Sequence, residues 1–273
     1  MEVKTTVKLN NGREIPQLGL GVYGAGTETK MAVRWALQAG YRHIDTASIY
    51  ENEREVGEAV LHSGIPREKV FITSKLWNDD MRRNCQEEAF EKSLQNLGME
   101  YIDLYLIHWP VENFTESWKV LERLYISGKV KSIGVSNFGK KQLDCLMESA
   151  SITPAVNQIE CHPLLNQEEL ILFCRRLHIV CESYSPFGGP ESGLLSHPGL
   201  LEIAKRYEKS PAQIIIRWNI QRELVVIPKS IHQERIISNM QVYDFELTDD
   251  DMEFIDRLDE GKRFRANPDN FKF

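Results

Sequence analysis

The sequence lacks a disulfide framework. Its five cysteines, Cys85, Cys145, Cys161, Cys174 and Cys181, are odd in number and include no CxxC pair. That argues against both a stapled secreted scaffold and a zinc ribbon, and it points to a reducing compartment. Cys174 and His178 lie one helical turn apart, but a single such pair indicates packing more than metal binding, and no metal is expected. The chain also lacks an excess of basic charge. Its net charge of −7 disfavours nucleic acid or an anionic membrane as the main partner. There is no apolar run near the roughly 18 residues of a membrane helix. The first residues, MEVKTTVKLNNGREIP, are polar and have no signal-peptide h-region, so a cytoplasmic protein is expected. Finally, no linker or composition shift divides the 273 residues, so residues 1–273 are expected to form one domain.

What the chain does have is alternation. Residues 5–8 and 13–16 flank Asn11-Gly12, which predicts a hairpin with a two-residue turn. Eight strand-like segments follow, at 17–20, 42–44, 70–74, 102–107, 132–135, 155–159, 179–182 and 225–227. Helical patterns lie between them near 30–39, 52–62, 84–97, 115–127, 139–149, 167–177, 199–207 and 211–221. Thr115 and Asn166 are candidate caps for the helices that follow them, and Gly128 a helix stop. A further amphipathic helix is expected near 249–258, capped by Thr248. Strands alternating with helices predict parallel pairing with right-handed crossovers. The length suits an α/β (β/α)8 TIM barrel, with the hairpin as a plug at the N-terminal mouth and the last helix as an extra.

Such barrels place function at the C-terminal ends of their strands. Chemistry-bearing residues sit at those predicted ends: Asp45, Lys75, His108, Ser136-Asn137, Gln158, Tyr184 and Lys229-Ser230. The segment GYRHIDTASIY (40–50) sends out an acid, Asp45, and a phenol, Tyr50, together. A phenol with a pKa of about 10 donates poorly at neutral pH. A nearby ammonium, here Lys75, is expected to lower that value, with Asp45 holding the ammonium in place. A neutral His108 can hydrogen-bond and orient a carbonyl oxygen. The set suits protonation of an oxygen as it becomes an alkoxide, and so carbonyl reduction beside a hydride donor.

Gly19-Leu20-Gly21-Val22-Tyr23-Gly24 matches GxGxxG, with Asp45 at the distance expected of a ribose-binding acid. The third glycine does not open a helix, however, since apolar periodicity resumes only near Met31. The stretch therefore reads as a glycine-rich loop shaped around a ligand by Gly21, Val22 and Tyr23. Tyr23, Trp77, His108 and Trp109 follow functional strand ends and read as walls of an apolar substrate pocket. Two other classes compete. One is a cofactor-binding sensor subunit with slow turnover. The other is a metal-dependent barrel hydrolase using His43, Asp45, His108 and His162, which Lys75 and Tyr50 suit poorly. His43 is expected to point away from Asp45.

GYRHIDTASIYENEREVGEA, ITSKLWN, DLYLIHWP, IGVSNF, NQIECHPLL and IPKS occur in this order over nearly the whole chain. Together they resemble the aldo-keto reductase family, and in particular its short-loop bacterial and protozoan members. The resemblance implies a barrel that binds NADPH or NADP+ without a Rossmann domain, an enzyme of alcohol dehydrogenase (NADP+) type, and a monomer taking small carbonyl substrates. It implies a catalytic tetrad of Asp45, Tyr50, Lys75 and His108, with Tyr50 as general acid and Asp45 also near the cofactor. Ser136, Asn137 and Gln158 would hold the nicotinamide amide, Tyr184 would stack on its ring, and Ser185 would lie beside it. Lys229, Ser230 and Arg235 would clamp the 2′-phosphate, and Asn239 would touch the adenine. The chain departs from the family pattern in three places. Ser238 stands where an acid is common, and Glu182 where a small or apolar residue is usual. The loop PFGGPESGLLSHPG is short, which implies a looser grip on the cofactor. The short segment after Asp259 is expected to leave the pocket rim open.

Overall fold

The computed structural model describes residues 5–271 and 273. Among the described residues, ten strands run in chain order: β1 (Thr6–Lys8), β2 (Glu14–Pro16), β3 (Leu20–Gly21), β4 (His43–Asp45), β5 (Phe71–Leu76), β6 (Leu104–Ile107), β7 (Ile133–Ser136), β8 (Val156–Glu160), β9 (Val180–Tyr184) and β10 (Val225–Val226). β3 to β10 form one sheet in sequence order, and every pairing is parallel. Parallel bridges Leu18↔Val226 and Gly21↔Lys229 join the last strand to the first, so the sheet closes into a barrel. Helices follow the strands and cover the outside with their apolar faces.

β1 and β2 pair antiparallel with Lys8 opposite Glu14. Their turn has three residues rather than the expected two. The Leu9 N–H donates to Arg13 O and the Gly12 N–H to Leu9 O, with Gly12 at φ 85°. A left-handed third residue lets a type I turn follow the strand twist, and glycine adopts it without strain. Leu9 and Ile15 then pack against Phe71, Leu104, Leu106, Val156 and Val225, so the hairpin closes the N-terminal mouth as expected.

Eight expected helices match within a few residues, and so does the last one, α11 (Asp249–Asp256), where Thr248 Oγ1 accepts from the Asp251 N–H. Thr115 does not cap its helix. The cap position is Asn113, in the left-handed region and without a side-chain bond. Gly128, at φ 78°, does end that helix. The Asn166 side chain accepts from the Glu168 N–H, capping from one residue further out than expected. Two helices escaped the periodicity, α3 (Asn78–Arg82) and α10 (Gln233–Met240). No helix among the described residues is long and apolar enough to cross a membrane.

Candidate active site

Strand alternation aims every second side chain into the barrel. On β5 these are Phe71, Thr73 and Lys75, which run from the plugged end to the open one. Lys75 is wholly buried, and its ammonium donates to Asp45 Oδ1 at 2.7 Å and to Thr46 O at 2.8 Å. An isolated buried ammonium is prohibitively costly, so this pairing is what holds it there. Tyr50 rides on a 3-10 turn (Ser48–Tyr50) that is fixed to the end of β5, where Ser48 Oγ donates to Lys75 O at 3.0 Å. The ammonium lies 5.0 Å from the centre of the Tyr50 ring. His108, just past β6, packs its ring edge-on at 5.7 Å from that of Tyr50 and 5.2 Å from that of Trp77. Asp45, Tyr50, Lys75 and His108, spread over 64 residues of sequence, thus meet at one end of the barrel.

Their electrostatics differ from expectation in one respect. Burial, reinforced by Asp45, Tyr23 and Glu182, pushes the Tyr50 phenol well above its ordinary value. The expected lowering by Lys75 is not seen, because burial of the phenol dominates and Asp45, paired with that lysine, adds to the rise. Tyr50 therefore holds its proton at neutral pH. Burial, then Lys75, drives His108 well below the ordinary imidazole range, so the ring is neutral. Its buried Nδ1 has no partner among the described residues.

The other expected site residues gather around this set. Gln158 donates its amide hydrogens to Asp45 Oδ2 at 2.8 Å and Glu182 Oε1 at 2.6 Å. Ser136 Oγ donates to Gln158 O at 3.0 Å. Asn137, at φ 64°, donates to Ser136 Oγ and to His108 O, and receives the Tyr184 hydroxyl at 2.7 Å. Ser185 Oγ accepts from Arg265 Nε at 2.9 Å, which leaves its hydroxyl hydrogen to donate. Gly21 lies against the backbone that follows β10, where an added Cβ would meet Ile227 O at 3.1 Å. Val22 O receives the Asn52 amide, which ties the glycine loop to the first helical turn after Tyr50. Tyr23 is exposed, with its ring 5.0 Å from that of Tyr50. Gly24 precedes a 3-10 turn and α1 (Thr29–Gln38) starts only afterwards, so the glycines do not make a Rossmann turn.

Past the end of β10, Lys229 is exposed, Ser230 buried, and Arg235 and Asn239 ride on α10. Neither Lys229 nor Arg235 makes an ion pair among the described residues. Two unpaired cations beside a helix N-terminus fit a phosphate.

His43 points into the barrel on the same face as Asp45, not away from it, because residues two apart on a strand share a face. It is held by Thr73 Oγ1 at 3.0 Å and stacks edge-on with Phe71, one layer deeper. Burial lowers it to about 3, so it is a neutral part of the core. His162 instead meets Glu160 at 3.3 Å. No group of three His, Cys, Asp or Glu side chains among the described residues is placed to hold a metal ion.

The rim is not open. The ring of Phe273 stacks on Trp77 at 6.0 Å and 8° and meets Trp109 edge-on at 5.0 Å, and Phe271 packs on Trp109 at 4.9 Å. Buried Glu160 pins the start of this tail by accepting the N–H groups of Phe264 and Arg265. Phe271 and Phe273, which the sequence reading missed, join the aromatic wall formed by Trp77 and Trp109. An aromatic pair in a short, non-periodic terminus was the available signal.

The Aldo/keto reductase family profile matches residues 17–260. The chain belongs to this family. It is 52% identical over 269 residues to the 9,11-endoperoxide prostaglandin H2 reductase of Trypanosoma cruzi, covering 97% of this chain and 95% of that protein. It is 47% identical over 274 residues to the glyoxal reductase of Bacillus subtilis, covering 99% of each. The crystal structure of an aldo-keto reductase from a deep-sea metagenome library of the Medee basin superposes with a TM-score of 0.96. That protein is 48% identical, and the match covers 98% of this chain and 100% of that one. As an aldo-keto reductase, the protein is an oxidoreductase acting on carbonyl groups, built on the family's barrel.

Proposed function

We propose that this aldo-keto reductase uses NADPH to reduce small aldehydes and ketones to alcohols, with Tyr50 as the proton donor. The observation that carries the reading is the meeting of buried Lys75, Asp45, Tyr50 and neutral His108 at the C-terminal end of the barrel. The cofactor, when bound, supplies the hydride. His108, an uncharged donor, orients the carbonyl oxygen toward Tyr50. The phenol protonates that oxygen as negative charge develops on it, and the adjacent ammonium stabilises the phenolate left behind. Asp45 keeps the ammonium beside the ring. Gln158, Ser136 and Asn137 would hold the carboxamide, and Tyr184 would stack on the ring. Unpaired Lys229 and Arg235 favour NADPH over NADH, because they offer the 2′-phosphate two cations.

Trp77, Trp109, Phe271 and Phe273 pack together as an apolar aromatic wall beside His108, which suits compact carbonyls, dicarbonyls such as glyoxal among them. The reading takes residues 1–273 as one catalytic domain, active as a monomer in the cytoplasm, where its free thiols stay reduced. Tyr50→Phe should lower carbonyl-dependent NADPH oxidation by at least about a hundred-fold. Its NADPH affinity, measured by fluorescence quenching, should stay within about two-fold of wild type, since the phenol's task is proton transfer. A mutant that keeps most of its turnover would remove Tyr50 from this role. A wild-type protein that binds NADPH but turns over no carbonyl would instead favour a sensor.

A further inference from the structure

Glu182 has no part in the proton-donor set, yet it lies wholly buried beside it. It sits at the middle of β9, paired in register with Gln158 on β8 and Val225 on β10. Tyr184, two residues on, shares its face one step nearer the mouth. A buried carboxyl in the middle of a strand is costly unless something requires it. Oε1 accepts from Gln158 at 2.6 Å, while Oε2 is buried with no partner among the described residues.

An amide nitrogen has two hydrogens to give. Those of Gln158 go to Glu182 and to Asp45, so the nitrogen has nothing left for a ligand. Turning the amide over would set its oxygen against Asp45 Oδ2, an acceptor of a carboxylate already held by Lys75. We propose that Glu182 is a positioning residue of the cofactor site. With Asp45 it takes both amide hydrogens of Gln158, so that Gln158 presents its oxygen to the carboxamide of the nicotinamide cofactor. This rests on the NADPH reading above.

The titratable groups that face Glu182 are Asp45 on β4, Lys75 on β5 and Tyr50 on the turn after β4; Gln158 and Val225 flank it without charge. Burial first, then Asp45, pushes its carboxyl up to about 8. Glu182 therefore carries a proton at neutral pH and adds a negative charge below the site in more alkaline solution. An oxidised nicotinamide ring is cationic and a reduced one is neutral, so ionised Glu182 favours the oxidised cofactor.

The test is fluorescence titration of wild type, Glu182→Gln and Glu182→Leu with NADPH and with NADP+ between pH 6.5 and 9.5. Glu182→Gln keeps the acceptor oxygen and the shape, and at pH 7 it should bind NADPH within about two-fold of wild type. Glu182→Leu frees a Gln158 hydrogen and should weaken both cofactors about five- to ten-fold. In wild type the ratio Kd(NADPH)/Kd(NADP+) should rise through about pH 8, because groups that act equally on both cofactors cancel in it. In Glu182→Gln that ratio should be flat. The assignment is overturned if Glu182→Leu binds both cofactors like wild type, or if the ratio in Glu182→Gln follows that of wild type. If Glu182→Leu does not fold, Glu182→Met, which likewise offers Gln158 no oxygen, takes its place under the same criterion. Wild-type protein that binds neither cofactor overturns the NADPH reading itself, and this assignment with it.

Discussion

The two ends of the barrel interior are built from the same strands and have opposite chemistry. At the end under the hairpin, Phe71, Leu104, Val156 and Val225 meet Leu9 and Ile15, and the packing is apolar. Two to four residues further along, those strands or the turns that follow them deliver Lys75, His108, Gln158 and Lys229. The apolar end contributes burial free energy, and that stability lets the other end keep a lysine, two acids and a neutral histidine away from water. In a parallel barrel every strand runs the same way, so one end can be spent on packing and the other on chemistry.

Mutations at each end should separate these tasks. Lys75→Met removes the charge proposed to stabilise the Tyr50 phenolate and should lower turnover by about a thousand-fold. A loss under ten-fold, measured with saturating NADPH, would dissociate the lysine from catalysis. At the other end, Ile15→Ala removes a fully buried side chain and should cost about 3 kcal/mol of stability. Calorimetry should show a lower Tm, with turnover per folded molecule unchanged; a large loss of turnover would mean the ends are not independent.

Glu182 supplies a pH-dependent term. Its folded carboxyl titrates at about 8, against about 4.5 when unfolded, so between these values the folded state holds the extra proton. Its contribution to stability is complete below about pH 4.5, declines as pH rises, and is gone above about pH 8. The slope is at most about 1.4 kcal/mol per pH unit. Wild type should therefore lose stability relative to Glu182→Gln from pH 5 to 8 in denaturant titrations, and parallel curves would contradict this. The smallest effect is at the rim, where Arg235→Ala should raise KM for NADPH about five-fold and leave kcat and the KM for NADH nearly unchanged. Equal changes for both cofactors would place Arg235 away from the 2′-phosphate.

The sequence made the architecture legible because strand and helix periodicity alternates, and because Lys75 in an apolar strand demands a partner. It hid what depends on register and burial. The Gln158–Glu182 bond joins residues 24 apart that meet only through strand pairing. The direction of the Tyr50 shift needed both its burial and the closeness of Asp45 to Lys75. α10 escaped because only Ile236 and Asn239 of its eight residues are buried, too few for an apolar stripe. The terminal Phe271 and Phe273 belong to no periodic element, so periodicity gave no sign of their stacking on Trp109 and Trp77.

The division of labour is tested most directly by assaying Tyr50→Phe and Ile15→Ala side by side, with turnover per folded molecule and Tm recorded for each. The account predicts that Tyr50→Phe loses turnover by at least about a hundred-fold with Tm little changed, and that Ile15→Ala loses Tm with turnover kept. Tyr50→Phe retaining more than about a tenth of wild-type turnover, or Ile15→Ala losing turnover at unchanged Tm, would contradict it.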